Sequence, residues 1–337
     1  MNASNDSYKG LVLITGGAGF IGSVAAATLE GAGYDIAICD RLRSGDKWRN
    51  IAKRDLVDII SPDNLFDVLE SNPGAFDAVV HMGAISSTTE TDADLIVDTN
   101  FKLSMALWQW CAETETPLIY ASSAATYGDG ANGFDDDIDR AALAKLRPMN
   151  PYGWSKLLFD RRVAAMVEAG EPSPPQWAGL RFFNVYGPNE YHKGSMQSVV
   201  SHIFPSAREG ATARLFESHH PDYEDGGQLR DFVWVGDCAK MIHWLVSNPS
   251  VSGLFNCGTG KARSFRELAE AVYRALDCEP EIQYVPTPEA IRNRYQYFTE
   301  ADMARARAAG FDHKPTSLED GITMYVRDYL ATEDPYL

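Results

Sequence analysis

The chain has 337 residues, 45% of them hydrophobic and 23% charged, with a formal net charge of −17 at neutral pH. That length can bury a core for one large domain or two, and the acidic balance argues against nucleic acid and against an anionic membrane surface as partners. No apolar run is long enough to span a bilayer, and the five cysteines, scattered and odd in number, favour reduced thiols in a cytoplasm over disulfides or a metal cluster.

Met1 to Tyr8 is polar, lacks the apolar core of a signal peptide and is expected to be a disordered tail. Lys9 to Gly22 then reads KGLVLITGGAGFIG. Leu11–Ile14 suits a buried parallel strand. It breaks at a glycine turn, and a helix-compatible segment, Ser23 to Glu30, follows. In this strand–turn–helix context Gly16, Gly19 and Gly22 let the backbone approach a pyrophosphate, which then faces the N–H groups of the helix start. A second strand, Asp35–Cys39, ends at Asp40. That acid is placed for the ribose hydroxyls of NAD, whereas Arg41, Arg43 and Lys47 suit the extra phosphate of NADP or form a solvated basic loop; the residues point both ways.

Further strands are expected at 58–60 and 77–81, with a helix at 65–70 between them. Met82, Gly83 and Ala84 close the second strand with small or flexible residues, and Ser86 to Thr89 supplies hydroxyls. Asp98 to Thr114 reads as a helix with Leu103, Leu107 and Trp110 on one face. The strand 117–121 ends in Ser122-Ser123-Ala124-Ala125-Thr126-Tyr127-Gly128, a polar patch where open α/β sheets bind ligands. Pro151 suits a first helical position, which places Tyr152 and Lys156 on one helix face. Residues 178–188 read as a strand ending in a turn. The loop 192–195 and a helix from about 196 to 208 follow, then a strand at 213–216, a mobile loop at 219–228, a strand at 230–235, a helix at 237–247 and a strand at 253–258. Ser264 and Glu267 form a capping box for a helix through Leu276, and helical segments reach about Leu330. This alternation predicts an α/β, Rossmann-type doubly wound parallel sheet with a smaller, discontinuous α/β substrate-binding lobe. The expected division is 9–187 plus 232–262 for the dinucleotide and 188–231 plus 263–330 for the substrate.

Tyr152-x-x-x-Lys156 with Ser123 upstream is the decisive constellation. A free phenol titrates near 10 and is a poor base at neutral pH. A lysine one turn away favours the phenolate. Tyr152 can then take the proton of a substrate hydroxyl while hydride leaves for a nicotinamide, with Ser123 steadying the oxygen. Alone, the Tyr/Lys spacing is usually a half-buried ring beside a solvated amine; the glycine turn and the serine patch give it weight.

TGGAGFIG, SSAATYG, PYGWSK, RFFNVYGP and RDFVWVGD together resemble an extended short-chain dehydrogenase/reductase of the sugar-nucleotide type, over about Lys9 to Leu330. A 4,6-dehydratase of that family would carry an Asp-Glu pair where this chain has Tyr127-Gly128. SSTTE at 86–90, EYHKGSM at 190–196 and RYQYFT at 294–299 are instead similar to the ADP-L-glycero-D-manno-heptose 6-epimerase family. The resemblance implies oxidation of the C6 hydroxyl to a transient ketone and its reduction on the other face, in a cytoplasmic enzyme on the route to lipopolysaccharide. It implies two proton-transfer groups, Tyr152 and Lys193; Lys193 read by itself is a plain surface lysine. Cofactor contacts carry over to Phe20, Ile21, Asp40, Arg41, Lys47, Asn100, Lys156, Val185 and Lys193, with Met82, Gly83, Ala84, Ile85 and Ser86 on the nicotinamide side. Substrate contacts carry over to Asn184, Ser195, His202, Phe216, Glu217, Ser218, His219, Arg230 and Tyr295. Arg230 suits a diphosphate, or else pairs with Asp231 or Asp225.

The implied cofactor is NADP, with NAD possible; the implied partners are an ADP-heptose substrate and further copies of the chain in a homo-oligomer, a pentamer by resemblance, with no metal. Three positions depart from the family: Met82 replaces an acid, Pro62 falls where a lysine meets the adenosine phosphate, and the loop 219–229 is longer. A UDP-hexose 4-epimerase would share Ser123, Tyr152 and Lys156 without needing Lys193. A noncatalytic dinucleotide sensor would not need all three, and a net reductase would consume cofactor.

Overall fold

Seven short runs, mostly apolar and, apart from the edge run 56–60, largely buried, build the central layer. The computed structural model describes residues 9–292 and 295–337, so the expected tail at 1–8 and Asn293 and Arg294 lie outside it. The strands are β1 (Leu11–Thr15), β2 (Asp35–Cys39), β3 (Leu56–Ile60), β4 (Ala78–His81), β5 (Leu118–Ser123), β6 (Trp177–Phe182) and β7 (Gly253–Cys257). They pair in the order β7-β6-β5-β4-β1-β2-β3, every pair parallel. Val12, Leu13 and Ile14 are fully buried, as a strand covered by helices on both faces requires. The chain runs outward from β1 to β3 and restarts at β4 on the other side of β1. The switch point of this doubly wound sheet therefore lies at the carboxyl ends of β1 and β4.

The helix Phe20–Gly31 buries Val24, Ala25 and Leu29. The helix Pro151–Glu168 starts where the Asn150 side chain accepts from the Gly153 N–H at 2.8 Å, a cap that fixes Tyr152 and Lys156 in the first two turns. A second apolar cluster joins Ile203, Phe204, Leu268, Val272, Ile322 and Tyr325, away from the sheet.

Several elements differ from the sequence expectation. The helix expected at 98–114 begins at Ala93 and carries a π-helical turn, Val97–Lys102, which turns Asn100 fully inward. The strand expected at 178–188 breaks at Phe183, and Asn184–Tyr186 pairs instead with Phe232–Trp234. The strand expected at 230–235 is interrupted at Asp231. Its carboxylate accepts from the N–H groups of Thr259, Gly260 and Ala301 and from the Thr259 hydroxyl, and the chain changes partner there: Leu229–Arg230 pairs with Arg263–Ser264, Phe232–Trp234 with Asn184–Tyr186. The helix expected from about 196 starts at Val199, capped by Ser198, after a separate 3₁₀ turn Tyr191–Met196. The loop expected to be mobile is tied down. Ser218 N–H donates to Asp225 at 2.7 Å, His219 N–H donates to the Tyr297 hydroxyl at 2.8 Å, and the rings of His220, Tyr223 and Tyr297 cluster at edge-on and tilted angles. The strand Ile282–Val285, paired with Ala213–Phe216, was not expected.

Beneath β5 lies a fully buried ion pair. Arg181 donates through Nε and Nη2 to Asp160 at 3.2 and 3.0 Å, and Ser122 donates to the same carboxylate at 2.9 Å. Removing one partner strands the other charge in the core. Asp160→Ala is expected to cost about 3–5 kcal/mol of unfolding free energy in urea titration, whereas Asp160→Leu with Arg181→Met should recover most of that loss; equal costs for the single and double variants would contradict the pairing argument.

Candidate functional site

Two adjoining clefts open at the carboxyl edge of the sheet, of about 600 and 580 Å³, with Val199 and Phe265 in the walls of both. The floor of the first is the glycine turn. A Cβ on Gly22 would sit 2.2 Å from the Gly16 carbonyl oxygen, so only glycine lets the helix start this close to β1. Asp40, at the end of β2, braces the turn. One carboxylate oxygen accepts from the Ala18 N–H at 3.0 Å, and the other accepts from Lys47 Nζ at 2.5 Å. Arg41 turns outward and forms a two-pronged pair with Asp63 at 2.6 and 3.0 Å. Met82, Gly83, Ala84 and Ser86 line the same cleft, while Ile85 is pinned through its main chain by both ends of the Asn100 amide. Asn100 also donates to Ser155 at 3.1 Å, so it ties the loop after β4 to the helix of Tyr152 from behind.

Ser123, Tyr152 and Lys156 share this cleft. Burial pushes the Tyr152 phenol up, and the Ser123 hydroxyl beside it pulls it back. Lys156 is buried, donates to the Ala121 carbonyl at 2.7 Å, and is pushed down to about 8 by desolvation, against the pull of Asp160. Lys193 reaches the same space from the 3₁₀ turn 191–196. Its ammonium lies 5.4 Å from the centre of the Phe20 ring; burial lowers its proton affinity and Glu190 partly restores it. Gly194 has φ 55° and ψ −123°, a conformation side chains avoid, and this kink follows Lys193 directly.

The expected substrate residues divide between the clefts. Asn184 and Ser195 line the first, together with Val185, which was expected to touch the cofactor; His202, Phe216 and Tyr295 line the second. Glu217, Ser218 and His219 continue from Phe216 without lining either cleft. Arg230 is buried between the rings of Phe265 and Tyr295, at 5.6 and 5.5 Å, and donates to the carbonyls of Leu229 and Gln296. The alternative ion pair does not form: Asp231 faces Thr259 and Ala301, and Asp225 accepts from Ser218. Arg230 has no carboxylate partner among the described residues, and desolvation lowers its proton affinity. Sequence reasoning missed Phe183, Phe232, Phe265 and Leu268 in the first wall and Arg214 and Gln228 in the second. The helix of Phe265 and Leu268 was legible, but which of its residues would face a cleft was not.

These residues fit a nicotinamide dinucleotide. The turn is bare enough for a pyrophosphate, a carboxylate–lysine pair stands at the end of β2, and a tyrosine–lysine pair stands beside the small residues after β4.

Residues 12–258 match the NAD dependent epimerase/dehydratase family. The chain is 49% identical over 330 residues to ADP-L-glycero-D-manno-heptose-6-epimerase of Nitratidesulfovibrio vulgaris, covering 97% of this chain and all of that one. Among solved structures it resembles ADP-L-glycero-D-manno-heptose-6-epimerase of Helicobacter pylori (TM-score 0.77, 28% identity, 95% and 96% of the two chains). It also resembles UDP-glucose 4-epimerase of Thermus thermophilus in complex with NAD (TM-score 0.71, 26% identity, 93% and 96%). The chain belongs to the NAD dependent epimerase/dehydratase family, in the branch of the ADP-L-glycero-D-manno-heptose-6-epimerases.

Proposed function

We propose that the chain interconverts ADP-D-glycero-D-manno-heptose and ADP-L-glycero-D-manno-heptose at C6, with NADP held in the first cleft. The observation that carries this reading is that two groups able to transfer protons, Tyr152 and Lys193, line one cleft, while Arg230, with no carboxylate partner among the described residues, stands behind the wall rings of Phe265 and Tyr295. The bound nicotinamide supplies hydride acceptance and return at C6. Tyr152 takes the hydroxyl proton in one orientation of the sugar. Lys156, protonated at neutral pH, stabilises the phenolate through its charge, and Ser123 donates a hydrogen bond to the oxygen that becomes the carbonyl. Lys193 does the same work for the opposite orientation, its desolvation bringing it closer to a titrating amine. Arg230 meets the diphosphate as a planar donor held by rings and carbonyls, and the second cleft takes the nucleotide end. Lys47, which lines the first cleft beside Asp40 at the end of β2, supports NADP over NAD, whereas Arg41 is taken up by Asp63. The two-part division, 9–187 plus 232–262 against 188–231 plus 263–330, the homo-oligomer and the cytoplasmic setting belong to the same reading.

Incubating the protein with ADP-D-glycero-D-manno-heptose without added cofactor, and following C6 by NMR, tests the substrate. Conversion without net change in nicotinamide absorbance is the expected outcome; no conversion even with NADP or NAD added would send the assignment to UDP-hexoses. Tyr152→Phe and Lys193→Ala are each expected to lower kcat by about 10²–10⁴. A 4-epimerase would lose activity only with the first.

Lys156 also gives a pH signature. Its folded value of about 8 lies below the unfolded value of roughly 10.4, so between those limits the unfolded chain binds more protons and stability rises with pH. Below about pH 8 the buried charge costs up to about 3 kcal/mol. Cofactor-free Lys156→Met is expected to gain stability over the parent protein at pH 7, and that gain should fade by pH 10; a constant difference across this range would contradict a charged, desolvated Lys156.

A further inference from the structure

Two distant segments meet over the start of the helix Phe20–Gly31. One is the 3₁₀ turn Asp46–Ile51, which carries Lys47; the other is the stretch 189–196, which carries Lys193. Their junction is built from two buried asparagines. Asn50 donates to the carbonyls of Ala18 and Asn189 at 2.9 and 3.0 Å. Asn189, held at φ 71°, donates to the Ser23 hydroxyl at 3.0 Å and to the Asn50 carbonyl at 3.3 Å.

A third stretch, residues 334–337, lies across this junction and touches both sides of it. Leu337 N–H donates to the Asn189 side-chain oxygen at 3.0 Å, completing that buried amide, and the Leu337 side chain packs against the cluster of Phe20, Val24 and Val235. The buried Tyr336 ring meets Tyr191 edge-on at 5.2 Å and the Arg49 guanidinium at 4.3 Å. Its carbonyl accepts from Lys53 Nζ at 2.6 Å, and the Pro335 carbonyl accepts from the Tyr191 hydroxyl at 2.8 Å. Asp334 pairs with Lys53 and Arg49 at 3.0 and 3.4 Å. Those pairs are exposed and contribute little. The weight falls on Tyr336, a buried aromatic, and on the Leu337 amide, whose loss leaves a buried acceptor without a partner.

We propose that residues 334–337 are a latch that retains the dinucleotide: they clamp the Lys47 segment to the Lys193 segment over the glycine turn. Lys47, Lys193 and Phe20 all line the first cleft, so a dinucleotide leaving on this side has to displace a wall that the latch holds shut. The same contacts back the Phe20 ring on which Lys193 rests. Tyr336 and Leu337 thereby act as positioning residues, without touching the reacting atoms. The inference rests on the reading that this cleft holds a nicotinamide dinucleotide.

The test uses the full chain, a Tyr336→Ala variant and a version lacking residues 334–337. Each is loaded with radiolabelled NADP, diluted into excess unlabelled NADP, and sampled for protein-bound label over time. Both altered proteins are expected to release label about tenfold faster or more, the scale set by losing one or two buried contacts that hold the closed wall. Thermal melts of the cofactor-free proteins separate this from general weakening. Release by Tyr336→Ala within about twofold of the parent rate overturns the latch, whatever its melting temperature. If the shortened chain does not fold, Tyr336→Ala decides alone by the same criterion. If the parent protein retains no labelled dinucleotide, NADP or NAD, the dinucleotide reading of the cleft falls first and the latch with it.

Discussion

Burying a cation is the constraint on which this site depends. Four positive side chains, Lys193 partly and the other three almost wholly, are taken out of water, and the chain compensates them in two different ways. Arg181 is met by a full counter-charge, Asp160, and by the Tyr127 ring and hydroxyl. Lys156, Lys193 and Arg230 are met mostly by neutral dipoles and rings: the Ala121 carbonyl, the Phe20 face, the carbonyls of Leu229 and Gln296 between Phe265 and Tyr295. A carboxylate neutralises a guanidinium and leaves a structural pair. A carbonyl or a π-face lowers the cost of burial while leaving most of the charge available to an arriving phosphate, phenolate or alkoxide. The residues with unspent charge are those that line, or stand against, the clefts. An overall charge of −17 does not prevent this, because solvent screens the distant acids and the local field comes from groups within a few ångströms.

Those cations are useful only if the strand ends under them hold still. A chain of buried hydrogen bonds does this without adding charge. Thr15 meets His81 Nδ1 at 2.6 Å, His81 Nε2 meets Ser104 at 3.0 Å, Ser104 donates to the Asn100 carbonyl at 2.6 Å, and the Asn100 amide binds Ile85 and Ser155. Burial and the nearby Lys156 push His81 down to about 3, so the imidazole stays neutral and serves as a spacer between two hydroxyls. The π-helical turn at Val97–Lys102 is what lets Asn100 reach Ile85; such turns accommodate a side chain that a regular helix would aim elsewhere. The network joins β1, β4 and the helix carrying Tyr152, the three elements whose relative placement sets the distance between a dinucleotide and a substrate hydroxyl.

How much of this was legible in the sequence follows from how local each signal is. The strand, glycine turn and helix at 11–31, the strand 35–39 and the Asn150–Pro151 helix start declare themselves within a few residues, and they stand where the sequence placed them. So does the capping box of Ser264 and Glu267. The ADP-heptose branch was legible through short motifs, the His192–Met196 run above all. What failed depends on partners distant in the chain. Asp231 breaks a strand because its carboxylate finds Thr259 and Ala301. Arg41 looks like a phosphate ligand until Asp63 faces it. The loop 219–228 looks free until Tyr297, almost 80 residues on, packs against it. Polarity and glycine content say that a segment can be exposed, not whether another segment lies over it.

The same distinction bears on the cofactor and the substrate, which make opposite demands on one cleft system. In an epimerase the hydride leaves a carbon and returns to it, so the dinucleotide ends each cycle as it began. A net dehydrogenase must exchange its cofactor every turnover, and its dinucleotide wall has to open at least as fast as kcat. An epimerase carries no such requirement. Its cofactor side can be closed by slow-opening contacts while the nucleotide-sugar side stays accessible. The two clefts here divide along that line. The wall over the glycine turn is built from the Asn189 amide, bonded at both ends, from the donating nitrogen of the Asn50 amide, and from the 334–337 stretch. The second cleft is rimmed by side chains such as His202 and Arg214 that have room to meet a ligand. On the proposed reading, retention on one side and exchange on the other would follow from where the chain satisfies its own hydrogen bonds and where it leaves donors open, which is a property of packing rather than of the reacting groups.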